Sequence, residues 1–171
     1  MNVSPVQLRD RALPAMVAAA LAESGLPPRR LEIELTESAL VGNFDLAREL
    51  LIELKELGVR LALDDFGTGH SSLRHLQKLP FDKIKVDASF VRNMNSCLES
   101  GKIVAAVIAL GRSLGLLTVA EGIEDAATAA ALRGMGCDIG QGWLFGHPLA
   151  AAEAGVLARD GAAGMLAPTQ H

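Results

Sequence analysis

The chain has 171 residues, half of them apolar, which suits one globular domain with a substantial core and excludes a disordered or fibrous protein. A formal net charge of −4 with scattered Lys and Arg excludes a generic electrostatic grip on nucleic acid, so an anionic ligand needs metal ions or a local cationic group. Cys97 and Cys137 are too few and too isolated for a disulfide framework, and the longest apolar runs, such as "IVAAVIAL" at 103–110, fall far short of the roughly 20 residues of a membrane span; with no targeting segment after Met1, the chain reads as soluble and cytoplasmic.

Helical and strand-like segments alternate from the start. Asn2 stands where a strand would end, and "LPAMVAAALAESG" predicts a helix with Pro14 near its start and Gly25 at its end. "LEIELTES" predicts a strand in which Ile33 and Leu35 face one side while Glu32, Glu34 and Thr36 face the other. "FDLARELLIELKELG" places Leu46, Leu50, Leu54 and Leu57 on a helical stripe that Gly58 terminates, and "VRLALDD" is strand again. After the "FGTGHSS" turn, "LRHLQKL" predicts a short helix stopped by Pro80, and "DKIKVD" a strand. "GKIVAAVIALGRSLG" is a helix with Ile103, Val107, Leu110 and Leu114 inward, "LLTVAEG" a strand, and "DAATAAALRGMG" a helix with Asp125 as N-cap. "DIGQGWLFG" is the last predicted strand and "LAAAEAGVLARD" the final helix.

Alternating β and α units imply a parallel sheet, either doubly wound or closed into a barrel. Asn2, Glu34, Asp64 with Asp65, Lys85 with Asp87, Glu121 and Gln141 each lie at the C-terminal end of a predicted strand. A doubly wound sheet concentrates function at one crevice, whereas a barrel gathers all its strand ends around one mouth, so this distribution favours a TIM-type (β/α) barrel. Such a barrel needs eight strands and typically ~250 residues, so the sequence predicts an incomplete one, about six of eight strands, with the first two missing. The domain is expected over 1–160, followed by a flexible tail at 161–171.

Taken alone, the adjacent aspartates of "DDFGTG" read as a solvated loop or a helix cap, and Lys85 as a salt-bridge partner of Asp87. Glu34 is harder to dismiss, because parity turns it toward a barrel interior where an unpaired carboxylate is costly. Oxygen ligands (Asn2, Glu34, Asp64, Asp65, Glu121, with Gln141) lacking neighbouring His or Cys suit Mg²⁺ or Mn²⁺ better than zinc. His70, His75, His147 and His171 show no ligand spacing. Two divalent ions ~3.5–4 Å apart would account for a carboxylate pair at one strand end, with one Asp bridging and its neighbour binding the second ion. Lys85 could then hold the attacking water or a phosphate oxygen.

These motifs, "ELTES" (34–38), "DDFGTG" (64–69), "KVDASFV" (85–91), "AEGIE" (120–124) and "QGWLFGHPL" (141–149), resemble in this order the EAL-type cyclic di-GMP phosphodiesterases of bacterial signalling, and "NVSPVQL" (2–8) looks like that family's third-strand motif. The resemblance implies a modified (β/α) barrel that hydrolyses cyclic di-GMP to linear pGpG with two Mg²⁺ or Mn²⁺ ions. Carried over by position, it implies Asn2, Glu34 and Asp64 at the first metal, and Asp64, Asp65 and Glu121 at the second. Lys85 would orient the attacking water, Glu121 could alternatively assist its deprotonation, and Gln141 would support the water and metal shell. Glu37 would anchor the "DFGTGHSS" loop, which in the family helps couple dimerisation to metal binding; His70 stands there where the family often has Tyr. The Glu-Ala-Leu motif that names the family, whose Glu is a metal ligand, is absent, so the family expects the same missing strands as the strand count.

Two readings follow. In one, the chain belongs to an active phosphodiesterase, a homodimer with an upstream GGDEF or sensor domain in the full-length protein, whose activity is impaired in this truncated form. In the other it is a non-catalytic module that binds cyclic di-GMP or a protein. A different Mg²⁺-dependent barrel enzyme is a third.

Overall fold

A computed structural model describes residues 1–40, 44–67 and 76–159. Among these, β1 (Glu32–Thr36), β2 (Arg60–Phe66), β3 (Lys83–Val86), β4 (Leu117–Ala120) and β5 (Ile139–Gly140) form one parallel sheet in the order β1-β2-β3-β4-β5. The helices are α1 (Leu13–Ser24), α2 (Phe44–Glu56), α3 (Ala88–Asn93), α4 (Leu98–Leu114), α5 (Ala126–Met135) and α6 (Ala151–Arg159). The barrel is not closed among the described residues.

Period-two alternation in the strands separates core from site. Ile33 and Leu35 of β1, Leu61 and Leu63 of β2, and Ile84 and Val86 of β3 are essentially solvent-free and belong to one core cluster with α2 and α4. Burying each such side chain stabilises the fold by about 1.5–3 kcal/mol, as an upper estimate. The opposite face of the sheet carries Glu32, Glu34, Ala62, Asp64, Lys83 and Lys85, as the alternation in "LEIELTES" predicts.

The helices follow their predicted punctuation. α1 has its proline in the first turn and Gly25 just beyond its end, and the Asp125 carboxylate accepts a hydrogen bond from the Thr128 N–H to cap α5. The buried stripes are rotated from the expected ones: Ala47, Leu50, Leu51 and Leu54 in α2, and Val104, Val107, Ile108 and Gly111 in α4. A groove that accepts small residues such as Ala47 and Gly111 lets the helix backbone approach the sheet, so the larger Leu46, Leu57, Ile103, Leu110 and Leu114 flank the contact.

Two strand expectations are corrected. The last strand has only two residues, because Gln141–Gly146 turns back over Ile123 through Ile123 N–H to Gln141 O and Leu144 N–H to Ile123 O. The strand ending at Asn2 is a single parallel bridge to Glu34, flanked by Val3 N–H to Glu34 O and Glu34 N–H to Met1 O. Helix α3 was not expected; the Asp87 carboxylate caps it by accepting from the Ser89 N–H. The expected "FGTGHSS" turn beyond Gly67, the first three residues of "LRHLQKL" and the 161–171 tail lie outside the described residues, as do His70, His75 and His171.

Candidate metal centre

Lys85 lies at the centre of the polar face. Its Nζ is 2.6 Å from Glu121 Oε1, 2.7 Å from Glu34 Oε2 and 3.0 Å from Asp64 Oδ1, and the residue is only 6% exposed. Three strands thus deliver carboxylates to an ammonium carried by a fourth. Glu34 lies opposite Ala62, and Ala62 opposite Lys83, so only a methyl group stands between the strands there and Lys85, two residues on, reaches back diagonally to Glu34. Lys83 crosses the same gap one layer down, its Nζ 2.6 Å from Glu32 Oε2. Burial pulls the Lys85 pKa down, but hydrogen bonds to Glu121, Glu34 and Asp64 outweigh it and hold the ammonium well above its usual value. The sequence-level pairing of Lys85 with Asp87 is not made.

Asp64 and Asp65 both reach the site because β2 is bulged. Leu63 pairs with Ile84 and Phe66 with Val86, so two aspartates oppose the single Lys85. Asp65 has φ 54°, the only positive φ on a non-glycine among the described residues. Without the bulge, Asp65 would point among the helices; with it, Phe66 takes that side and packs against the core. Burial and the negative charges of Asp64, Asp87 and Glu121 push the Asp65 carboxyl up, and it hydrogen-bonds the Asp87 carboxylate. Burial also raises Asp87, yet the Ser89 hydroxyl and amide prevail, leaving it below the usual carboxylate range.

Asp64, Asp65 and Glu121 each offer an oxygen, all within 4.8 Å of one another. This is a donor set of hard oxygens of the kind that could hold a metal ion. Glu34 joins it through Lys85, and the Asn2 bridge places Asn2 beside Glu34 on the same face. Gln141 follows β5, its N–H bonded to Ala120 O at 2.8 Å, and lines a cavity of about 870 Å³ together with Glu121. Glu37 begins the turn after β1 and is buried, but the loop it is expected to anchor continues into 68–75, outside the described residues.

Several further groups surround this rim. Trp143 and His147 line the cavity as a tilted ring pair, centroids 5.4 Å apart, and Arg92 pairs with Glu124 at 2.9 Å along its wall. The approach of Asp87 to Asp65 was not anticipated, although its place two residues past Lys85 and two before Ser89 is an N-cap signal. No helix among the described residues is long and apolar enough to cross a membrane.

Residues 1–148 match the EAL domain family. A Caulobacter vibrioides signaling protein is 51% identical over 148 residues, 86% of this chain and 18% of its own length. The Pseudomonas aeruginosa cyclic di-GMP phosphodiesterase RocR is 40% identical over 86% of this chain and 38% of its length. The chain spans about a fifth of the length of several curated relatives it matches. The PaMucR phosphodiesterase in complex with cyclic di-GMP superposes with TM-score 0.86 at 38% identity, covering 90% of this chain and 62% of that one. Klebsiella pneumoniae BlrP1 in a manganese and cyclic di-GMP complex gives 0.79 at 36% identity, covering 86% and 38%. Similarity running the length of the sheet, through the strand ends that carry Glu34, Asp64, Lys85 and Glu121, shows that this chain belongs to the EAL domain family.

Proposed function

We propose that this domain hydrolyses cyclic di-GMP to linear pGpG with two Mg²⁺ or Mn²⁺ ions. The observation that carries the reading is the convergence of Glu34, Asp64 and Glu121 on Lys85, with Asp65 grouped beside Asp64 and Glu121, and with Glu121 lining a cavity in the size range of small-molecule sites. Asn2, Glu34 and Asp64 would hold the first ion; Asp64, Asp65 and Glu121 would hold the second. Bound there, the ions would polarise the phosphoryl oxygens and lower the pKa of a water. Lys85 orients the attacking water from its buried stem, Glu121 takes up its proton, and Gln141 steadies the water from the β5 side. A bond forms between the water oxygen and phosphorus as the bond from phosphorus to the ribose O3′ breaks, and the departing O3′ takes a proton from solvent. RocR and PaMucR, phosphodiesterases by name, and the manganese complex of BlrP1 support this chemistry.

The test is chromatography of cyclic di-GMP incubated with the chain, and with a version extended upstream through an intact Glu-Ala-Leu motif, in Mg²⁺ or Mn²⁺. Turnover to pGpG that Asp64→Asn abolishes is expected of the extended protein; its absence there would refute the proposal. A second reading, cyclic di-GMP binding without cleavage, is favoured by the single bridge that carries Asn2. Calorimetric binding by both forms with no pGpG produced would establish it. A homodimer and an accompanying GGDEF or sensor domain belong to the same proposal, with light scattering as the check on the former.

A further inference from the structure

Lys85 makes ion pairs with Glu34, Asp64 and Glu121 at 2.6–3.0 Å, and these carboxylates come from β1, β2 and the residue after β4. Each carries one of the oxygens that a divalent ion would need. A cation seated on the Glu34 and Asp64 carboxylates would draw on oxygens that the ammonium already holds at 2.7 and 3.0 Å, and would bring a like charge close to it. The two occupants therefore compete for the same carboxylates.

We infer that Lys85 is a tethered competitor of the divalent ion: it cross-braces three strand ends through their carboxylates, and it must swing away on its four-carbon stem before an ion can be seated. Resting on the two-metal reading above, this adds a second role to the residue. Lys85 sets the concentration of divalent ion at which the site loads, and loading converts a lysine braced against three acids into one released toward the cavity and its water. The brace is local. Lys83, one layer below and paired with Glu32, touches none of the three carboxylates.

The experiment compares Mn²⁺ uptake by the full chain, Lys85→Met and Lys83→Met, using calorimetry and thermal melts in chelator and in Mn²⁺. Lys85→Met is expected to bind Mn²⁺ about ten-fold more tightly or better, and to melt below the unsubstituted chain in chelator but gain more from the ion. Lys83→Met, which removes the same charge farther away, should shift the affinity by no more than about three-fold. Unchanged or weaker binding by Lys85→Met overturns the inference, as does an equal gain from Lys83→Met. If Lys85→Met is unfolded in chelator, refolding on Mn²⁺ supports the exchange and persistent unfolding at saturating Mn²⁺ overturns it. Failure of all three proteins to take up Mn²⁺ would instead refute the metal-site reading on which the inference rests.

Discussion

Gly142→Ala is expected to damage both stability and catalysis although it adds one methyl group. A Cβ at this position would lie 2.7 Å from the Ile123 carbonyl carbon and closer still to the Ile123 oxygen and nitrogen, all of them backbone atoms without rotamers to yield. Restoring the 3.4 Å of an ordinary contact to the nearest of these atoms parts the two segments by about 1.2 Å. The same segments are joined by Ile123 N–H to Gln141 O at 3.1 Å and Leu144 N–H to Ile123 O at 3.0 Å, so both hydrogen bonds go with the displacement. At about 1 kcal/mol each, and more for any group left buried and unpaired, the loss is roughly 2–4 kcal/mol. For a chain of this size that lowers the melting temperature by about 5–15 °C. Because Gln141 and Glu121 flank the contact, turnover of cyclic di-GMP should fall with it. Differential scanning calorimetry is the assay, and Gly134→Ala the control: that exposed helical glycine has nothing near its absent Cβ, so alanine should stabilise by about 0.5–1 kcal/mol. A Gly142→Ala protein that melts within about 2 °C of the unsubstituted chain would refute the reasoning.

Gly111→Ala should be destabilising in urea titration, because its methyl meets Thr118 Cγ2 and lies 3.1 Å from Ile84 Cγ2 in a filled core; about 1–3 kcal/mol of overpacking outweighs the ~1 kcal/mol helix-propensity gain, and a raised midpoint would contradict this. The Thr118 N–H and hydroxyl hold Asp138 below its ordinary pKa of 3.8, so the carboxylate stabilises the fold above that value and the benefit is lost as pH falls through the depressed native value. Asp138→Ala should therefore cost roughly 1–2 kcal/mol at pH 7 by denaturant titration, with a gap that narrows in acid; a gap constant from pH 7 to pH 2 would be the contrary result. Asp65→Asn should raise the melting temperature in chelator by removing a carboxyl crowded by Asp64, Asp87 and Glu121, while weakening Mn²⁺ binding. Asp65→Val, forced into a left-handed conformation, should be less stable than Asp65→Asn by about 1–2 kcal/mol, and equal melting would show that the bulge does not need that backbone.

Much of the architecture was legible because it depends on local period and punctuation. The alternation of Ile33 and Leu35 with Glu32 and Glu34 announces a two-faced strand, and Pro14, Gly25 and Asp125 mark helix ends through backbone preferences that act within a few residues. The acids could be assigned to one rim because strand ends in a parallel sheet are gathered there whatever lies between them. What escaped depends on register. That Lys85 pairs with Glu34, Asp64 and Glu121 rather than Asp87 follows from Ala62 lying between β1 and β3, a neighbour relation visible only once strands are aligned. The bulge at Asp65 has no sequence signature, since the same two letters suit a turn. "DIGQGWLFG" reads as a strand by composition, yet the chain turns after Gly140 because Gly142 must lie against the Ile123 backbone. Helix α3 is short enough, at six residues, to be hidden between stronger signals.

The strand order has a consequence for synthesis. Among the described residues every ladder joins a strand to the one translated just before it, so each newly made strand emerges to find its partner edge already laid down. Closing such neighbouring loops costs little chain entropy, and the sheet can be assembled vectorially on the ribosome without waiting for the C-terminus. Pulling-force profiles of stalled nascent chains should then show successive steps as β2, β3 and β4 clear the exit tunnel, and a single late step would speak for assembly after release.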